Sequence, residues 1–456
     1  MLKHLPRKKL ILAGGDILLL IISFYACYAI RHGQFVNVIS KHTGATILFL
    51  CMFIFVFYMA DIYNTEGKFY STNNILKIIV SIIIANGFIA GAFYLFSFWY
   101  FSRGAFAINI LLVFLFLLFW RLFFNKLFKS GKRPYRVLVI GAGRAGRALH
   151  SILHGRKSFK IVGYLDDDEK KRNVTIGSSA VIGGTGLLQS LVEDKGIDEV
   201  VVAITHEKSP VLLKRIMDVK FKGTEIHDMP SFYERVFGTI PILYLRGSWF
   251  SYVDFYGIKK NIYNRKIKMV LDKFIAIVGM VALFPPMIIV SIAIKLQSKG
   301  PVFFKQERVG EGMQLFQVFK FRTMVCGKED ERTFAGSKND PRVTRVGKVL
   351  RFFRIDEIPQ LWNVIRGDLS IIGPRSLIQE EVNEYSEKVP FFFLRYSVKP
   401  GITGWAQVNY NHGVKVEDGI KKLQYDLYYI KNLSPLLDSH ILLKTIKVVL
   451  FGRGAR

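Results

Sequence analysis

Four long apolar runs dominate the first third of the chain, at residues 10–30, 45–60, 75–101 and 105–124. As helices they are long enough, or in the second case nearly so, to cross roughly 30 Å of hydrocarbon. Lys3, Arg7, Lys8 and Lys9 precede the first run, and Arg121, Lys126, Lys129, Lys132, Arg133 and Arg136 gather around the end of the fourth. Four crossings with basic residues at both ends place both ends in the cytoplasm. Asp16 interrupts the first run and no small-residue cleavage site follows it cleanly, so the run reads as a retained span and not as a signal peptide. The pattern predicts an α-helical transmembrane bundle over residues 1–130.

The periodicity then changes. Short β-rich runs at 136–140, 160–165, 199–204 and 224–227 alternate with helical patterns, among them 211–221. That alternation predicts a parallel sheet in an α/β, Rossmann-like domain over about 134–250. The first run leads straight into Gly141, Gly143 and Gly146, spaced G-x-G-x-x-G at a helix start, and Asp166 ends the second run twenty residues later. Such a loop can bring NAD or another nucleotide to a helix N-terminus, with the acid on its ribose. A regulatory or structural Rossmann-like module without a ligand fits the same residues.

A fifth apolar run, 269–296, holds Pro285 and Pro286 at its middle and is flanked by basic residues on both sides. Paired prolines remove two helical donors. A helix that enters the membrane, breaks there and returns keeps both basic flanks on one side, so the pattern predicts a re-entrant hairpin. The rest of the chain, within a third domain over 262–456, has no run able to span a membrane and reads as α-rich (α+β).

Composition adds a net charge of +29 with 51% hydrophobic residues. With membrane spans present, lipid headgroups and phosphorylated substrates explain that charge; no DNA or RNA motif accompanies it, so no nucleic-acid partner is expected. Cys27, Cys51 and Cys326 show neither disulfide nor zinc spacing. The chemistry gathers in 350–376. There the adjacent acids Asp356 and Glu357 sit among Arg351, Arg354, Arg366 and Arg375. Carboxylates can hold a hard divalent ion or attack phosphorus, and guanidinium groups can clamp phosphate charge. An acid pair alone is more often a capping or surface pair, here beside Pro359.

Five ordered motifs extend the pair: GPVFFKQERVG at 300–310, FKFRTM at 319–324, IDEIPQLWN at 355–363, GDLSIIGPR at 367–375 and KPGITGWAQVN at 399–409. In these the C-terminal part resembles the bacterial polyprenyl-phosphate sugar-1-phosphate transferases of the monotopic class. The four spans and Rossmann-like domain resemble their long subgroup, which starts exopolysaccharide, capsule or O-antigen units. The resemblance implies a phosphotransferase at the cytoplasmic face of a bacterial inner membrane. It would move a sugar-1-phosphate from a UDP-sugar to undecaprenyl phosphate and release UMP. Asp356 would be the nucleophile, and Glu357 with Asp356 would hold Mg²⁺ or Mn²⁺. Arg375 would bind phosphate, with Lys320, Arg322 and Arg351 as further contacts. Asp368 either orients one of these arginines or is a turn acid after Gly367. Membrane lipids, a second copy of the chain and downstream glycosyltransferases are the partners this implies. Ser376 departs from the family pattern, which repeats proline after the arginine, and predicts a less rigid loop.

Two other functions use the same sequence. A membrane-tethered NAD-dependent nucleotide-sugar epimerase or dehydratase would use the glycine loop, with Tyr256 and Lys260 at the Tyr-x-x-x-Lys spacing but outside the domain. A nucleotide-sensing membrane scaffold would bind without transfer.

Overall fold

The computed structural model describes residues 7–33, 43–63, 72–95, 103–128, 134–156, 158–205, 208–245, 247–259, 262–325, 342–410 and 416–450. Lys3, the third apolar run beyond 95, Lys129, Lys132, Arg133, Lys260 and Cys326 lie outside them. The chain divides into two compact units, Met1–Arg133 and Pro134–Arg456.

The first unit contains α1 (Arg7–His32), α2 (Thr43–Met59), α3 (Thr72–Leu95) and α4 (Arg103–Phe128). Phe49, Phe53 and Phe57 recur every fourth residue on α2, which stacks them along one face; ring centroids lie 4.8 and 5.6 Å apart and Phe24 of α1 closes on Phe49 at 5.3 Å. Many other apolar side chains, Leu18, Ile83 and Phe119 among them, stay exposed, as expected where lipid tails replace a second protein layer. Asp16 is not exposed despite its charge. Arg121 donates to both of its carboxylate oxygens, at 2.9 and 2.8 Å, so that α1 and α4 share a buried ion pair. By length and composition α1, α3 and α4 can each cross a membrane, whereas α2 is short at 17 residues. These helices mark the chain as a membrane protein.

The second unit begins with the predicted sheet. β1 (Tyr135–Ile140), β2 (Phe159–Leu165), β5 (Glu199–Val202) and β6 (Glu225–Asp228) pair in parallel with the short β4 (Ser179–Gly183), while β3 (Thr175–Ile176) adds an antiparallel edge, giving the order β3-β4-β2-β1-β5-β6. Helices α5 (Arg144–Leu153), α6 (Leu188–Asp194), α7 (Pro210–Phe221) and α8 (Met229–Phe237) connect and cover the strands. Val137 and Val139 face one core, Leu138 and Ile140 the other, which is why β1 reads as an unbroken apolar run. After α8 the chain joins a different core: Ile240 and Ile242 pack with Val364, Leu423 and Leu427.

That core belongs to the C-terminal part. It contains α9 (Gly247–Tyr252), α10 (Lys268–Gln297), the antiparallel hairpin of β7 (Phe303–Val309) and β8 (Leu315–Phe321), and α11 (Arg345–Phe352). These are followed by α12 (Gln360–Arg366), β9 (Ser370–Ile372), α13 (Gln379–Lys388), β10 (Gly401–Thr403), α14 (Trp405–Asn409), α15 (Val416–Asn432) and α16 (Pro435–Leu450). The break expected at Pro285-Pro286 is not present: α10 runs through both prolines as one 30-residue helix. Two amide donors are lost, but the ring-fixed φ of proline is itself helical, so the dihedrals can continue.

Both ends of α10 are tied to the same folded part. Near its start Lys268 donates to Asp438 at 2.8 Å, and Ser370 donates to Asp272 at 2.6 Å. At its end Ile294 packs with Phe321 and Leu350, Gln297 accepts from the Val346 amide, and Arg322 donates to the carbonyls of Ser298 and Lys299. Between these ends Phe274, Val281, Phe284, Ile289 and Ile292 are exposed.

Candidate active site

The acid pair sits in one 3₁₀ turn, Ile355–Glu357, between α11 and α12. Arg354, just before it, takes a left-handed conformation with φ +56°, a strain that non-glycine residues carry where surrounding contacts enforce it. Behind the turn, Asn363 of α12 is fully buried. It accepts from the Phe319 amide at 3.1 Å and donates to the Gln317 carbonyl at 2.7 Å, fastening α12 to β8. Lys320 on β8 is thereby held against the acid pair.

Glu357 lies among three cations. Arg375 donates to its Oε1 from Nη1 at 3.2 Å and Nη2 at 3.3 Å; Lys320 Nζ is 3.8 Å from Oε1, and Arg354 Nη1 is 3.7 Å from Oε2. Burial alone would push this carboxyl up, but Arg375, Lys320 and Arg354 outweigh it and hold it down to about 2. Asp356 goes the other way: burial raises it, the neighbouring Glu357 charge raises it further, and Lys320 and Arg351 only partly oppose this. Two adjacent acids thus have separated protonation behaviour. Lys320 is pushed down to about 8, first by burial and then by the Arg308 and Arg375 charges. The arrangement offers one firmly ionised carboxylate, one carboxylate of raised proton affinity, and buried cations able to receive phosphate oxygens.

The structure brings Asp356, Glu357, Lys320, Arg351 and Arg375 together. Arg351 also donates from Nε to Thr323 Oγ1 at 2.9 Å. Two predicted residues are elsewhere. Arg322 is buried, and its guanidinium caps the end of α10 through Ser298 and Lys299. Asp368 accepts from Asn363 at 3.2 Å and pairs with the half-exposed Arg366 at 3.4 Å, so the arginine it orients is outside the predicted phosphate set. Sequence reasoning gave no role to Arg308, which donates to the carbonyl of Ser376 next to Arg375, nor to the Arg395–Asp426 pair. Arg308 lay inside a quoted motif, which was the available signal; nothing in the sequence linked Arg395 to Asp426.

The glycine loop forms between β1 and α5. Gly141 has φ +104°, and a Cβ on Gly146 would meet the Gly141 carbonyl at 2.1 Å, so both are required by the turn itself. Asp166 accepts from the Ala142 amide at 2.8 Å and pairs with Lys171 at 3.2 Å. Burial raises its carboxyl, but the Ala142 and Asp168 amides and Lys171 together hold it below the usual range. This acid is engaged with its own loop. Tyr256 carries Lys259 over its ring at 5.0 Å.

The C-terminal part, residues 263–452, matches the family model of the bacterial sugar transferase, and residues 58–225 match that of a CoA-binding domain. The chain is 44% identical over 190 residues to the UDP-N-acetylgalactosamine-undecaprenyl-phosphate N-acetylgalactosaminephosphotransferase of Aeromonas hydrophila, covering 42% of this chain and 45% of that protein. It is 38% identical over 221 residues to the UDP-glucose:undecaprenyl-phosphate glucose-1-phosphate transferase of Xanthomonas campestris pv. campestris, covering 48% and 44%. A protein of the same description from Caulobacter vibrioides is 41% identical over 186 residues, covering 40% of this chain and 69% of that one. The chain thus spans under half the length of the first two relatives and over two thirds of the third. On the strength of its C-terminal part, the chain belongs to the bacterial sugar transferase family.

Proposed function

We propose that this chain transfers a sugar-1-phosphate from a UDP-sugar to undecaprenyl phosphate and releases UMP. The observation that carries the reading is the acid pair: Glu357 is surrounded by Lys320, Arg354 and Arg375, and Asp356 stands beside it with a raised proton affinity. The names of the Aeromonas and Xanthomonas relatives supply the substrate classes.

In this reading an Asp356 carboxylate oxygen attacks the β-phosphorus of the UDP-sugar. The bond from that phosphorus to the bridging oxygen breaks, and UMP leaves with the electron pair. The resulting sugar-phosphoryl-aspartate is attacked at the same phosphorus by an oxygen of undecaprenyl phosphate, which frees Asp356. Arg375 and Lys320 hold phosphate oxygens while charge redistributes. The two carboxylates are hard oxygen donors of the kind Mg²⁺ or Mn²⁺ takes, so Glu357 and Asp356 would hold the ion. When bound, it would neutralise phosphate charge during transfer.

The reaction joins a water-soluble donor to a lipid phosphate, so the site must lie at a membrane surface. Anchoring of both ends of α10 to one folded part supports a helix that enters one leaflet without crossing the bilayer, and the basic flanks support a cytoplasmic face of a bacterial inner membrane. The step would open an exopolysaccharide, capsule or O-antigen pathway.

UMP release tests the reading. The purified chain, with undecaprenyl phosphate and Mg²⁺, is expected to release UMP from at least one member of a UDP-sugar panel and to stop on chelation. Asp356→Asn is expected to abolish release; turnover at the native rate in that variant would rule out the aspartyl intermediate.

A further inference from the structure

Ser376 follows Arg375 where a second proline was expected, yet the loop is not loose. Three consecutive carbonyls in it are held. Pro374 accepts from the Gly401 amide at 2.9 Å, Arg375 accepts from Arg395 Nη2 at 2.9 Å, and Ser376 accepts from Arg308 Nη1. Arg308 is fixed in turn by Gln306, which accepts from its Nε at 3.2 Å and its Nη2 at 2.9 Å.

Arg395 is the unusual member. It is 4% exposed, with the Phe392 and Tyr396 rings 5.0 and 5.6 Å from its guanidinium. Its Nη2 also lies 2.9 Å from Oδ2 of Asp426, which is 1% exposed. A buried ion pair is a costly way to fill a core, and replacing it with apolar groups often stabilises a protein. Its retention here makes sense through what it holds: the backbone of the residue whose guanidinium reaches Glu357.

We propose that Arg395 is a positioning residue for Arg375, with Asp426 holding the Arg395 guanidinium on the Arg375 carbonyl so that the Arg375 side chain meets the donor diphosphate in one geometry. The inference rests on the proposed transfer reaction. Arg395 touches no substrate; it acts through the backbone of Arg375.

A double-mutant cycle on the full chain tests it, read as UMP release from radiolabelled UDP-glucose, or from whichever UDP-sugar the panel selects. Arg395→Gln is expected to lower kcat/KM about a hundredfold in the native background. In the Arg375→Ala background the same change is expected to cost about twofold or less, because the side chain being positioned is gone. Equal losses in both backgrounds would mean general damage, and no loss in the first would mean no positioning; either overturns the proposal. If Arg395→Gln does not accumulate as folded protein, Asp426→Asn, which keeps the side-chain shape, enters the cycle with the same expected pattern. Hydrogen exchange over residues 370–378 separates the two possible failures. A native chain that releases no UMP defeats the transfer reaction, whereas exchange unchanged by Arg395→Gln defeats the positioning role whatever the activity.

Discussion

Lys320 shows how single side chains at this site depend on their surroundings. Its ammonium is buried and faces Arg308 and Arg375 as well as the acid pair, and the balance leaves it titrating at about 8. The charged form is the one that can hold a donor phosphate, so capture weakens as pH rises through that value. Because kcat/KM reports groups of the free enzyme, its alkaline limb is expected near pH 8. Lys320→Arg keeps the charge at any accessible pH and is expected to move the limb upward. A limb that stays in place in that variant would assign it to another group. With Asp356 as the proposed nucleophile, the acid limb is expected above the usual aspartate range, because burial together with Glu357 raises its carboxyl.

Elements explain which parts of the sequence could be read directly. β1 and β5 were legible because strands buried on both faces need apolar residues throughout, whereas β6 (EIHD) at the sheet edge has no buried residue and was placed by the strand–helix alternation. The β7–β8 hairpin was not, since its strands carry Lys305, Glu307, Arg308 and Lys320 on a two-stranded ribbon with no continuous apolar face. The acid pair and Arg375 were legible as motifs. Arg322 stands among the phosphate candidates only through the family resemblance; in the structure β8 ends at Phe321 and Arg322 turns to the end of α10. The Arg395–Asp426 pair joins segments 31 positions apart by number, and no periodicity encodes that. The part Arg322 plays at the end of α10 is testable. Arg322→Met removes a charged donor from the Ser298 and Lys299 carbonyls just past α10 and is expected to cost about 2–3 kcal/mol of stability, seen as a lower thermal midpoint. The donor KM should stay near the native value; a large rise in KM with unchanged stability would return Arg322 to the phosphate site.

At the scale of the whole molecule, the chemistry depends on the side of the membrane on which the C-terminal part lies. A straight helix of 30 residues is about 45 Å long, enough to cross a bilayer, so the length of α10 alone does not decide the matter. Its anchors do bear on it. Asp272 meets Ser370 at one end and Gln297 meets Val346 at the other, and the partners of the two ends share one folded part. If α10 crossed the bilayer, one group of partners would have to be pulled through roughly 30 Å of hydrocarbon from the other. Single cysteines introduced at Asn264 and Lys299, on either side of α10 and in a background with Cys27, Cys51 and Cys326 replaced, are therefore expected to react with a membrane-impermeant maleimide only after the cytoplasmic side is opened. Labelling of one of the two in intact cells would make α10 a true span, and would leave Asp356 without simultaneous access to a cytosolic donor and a lipid phosphate on the same face.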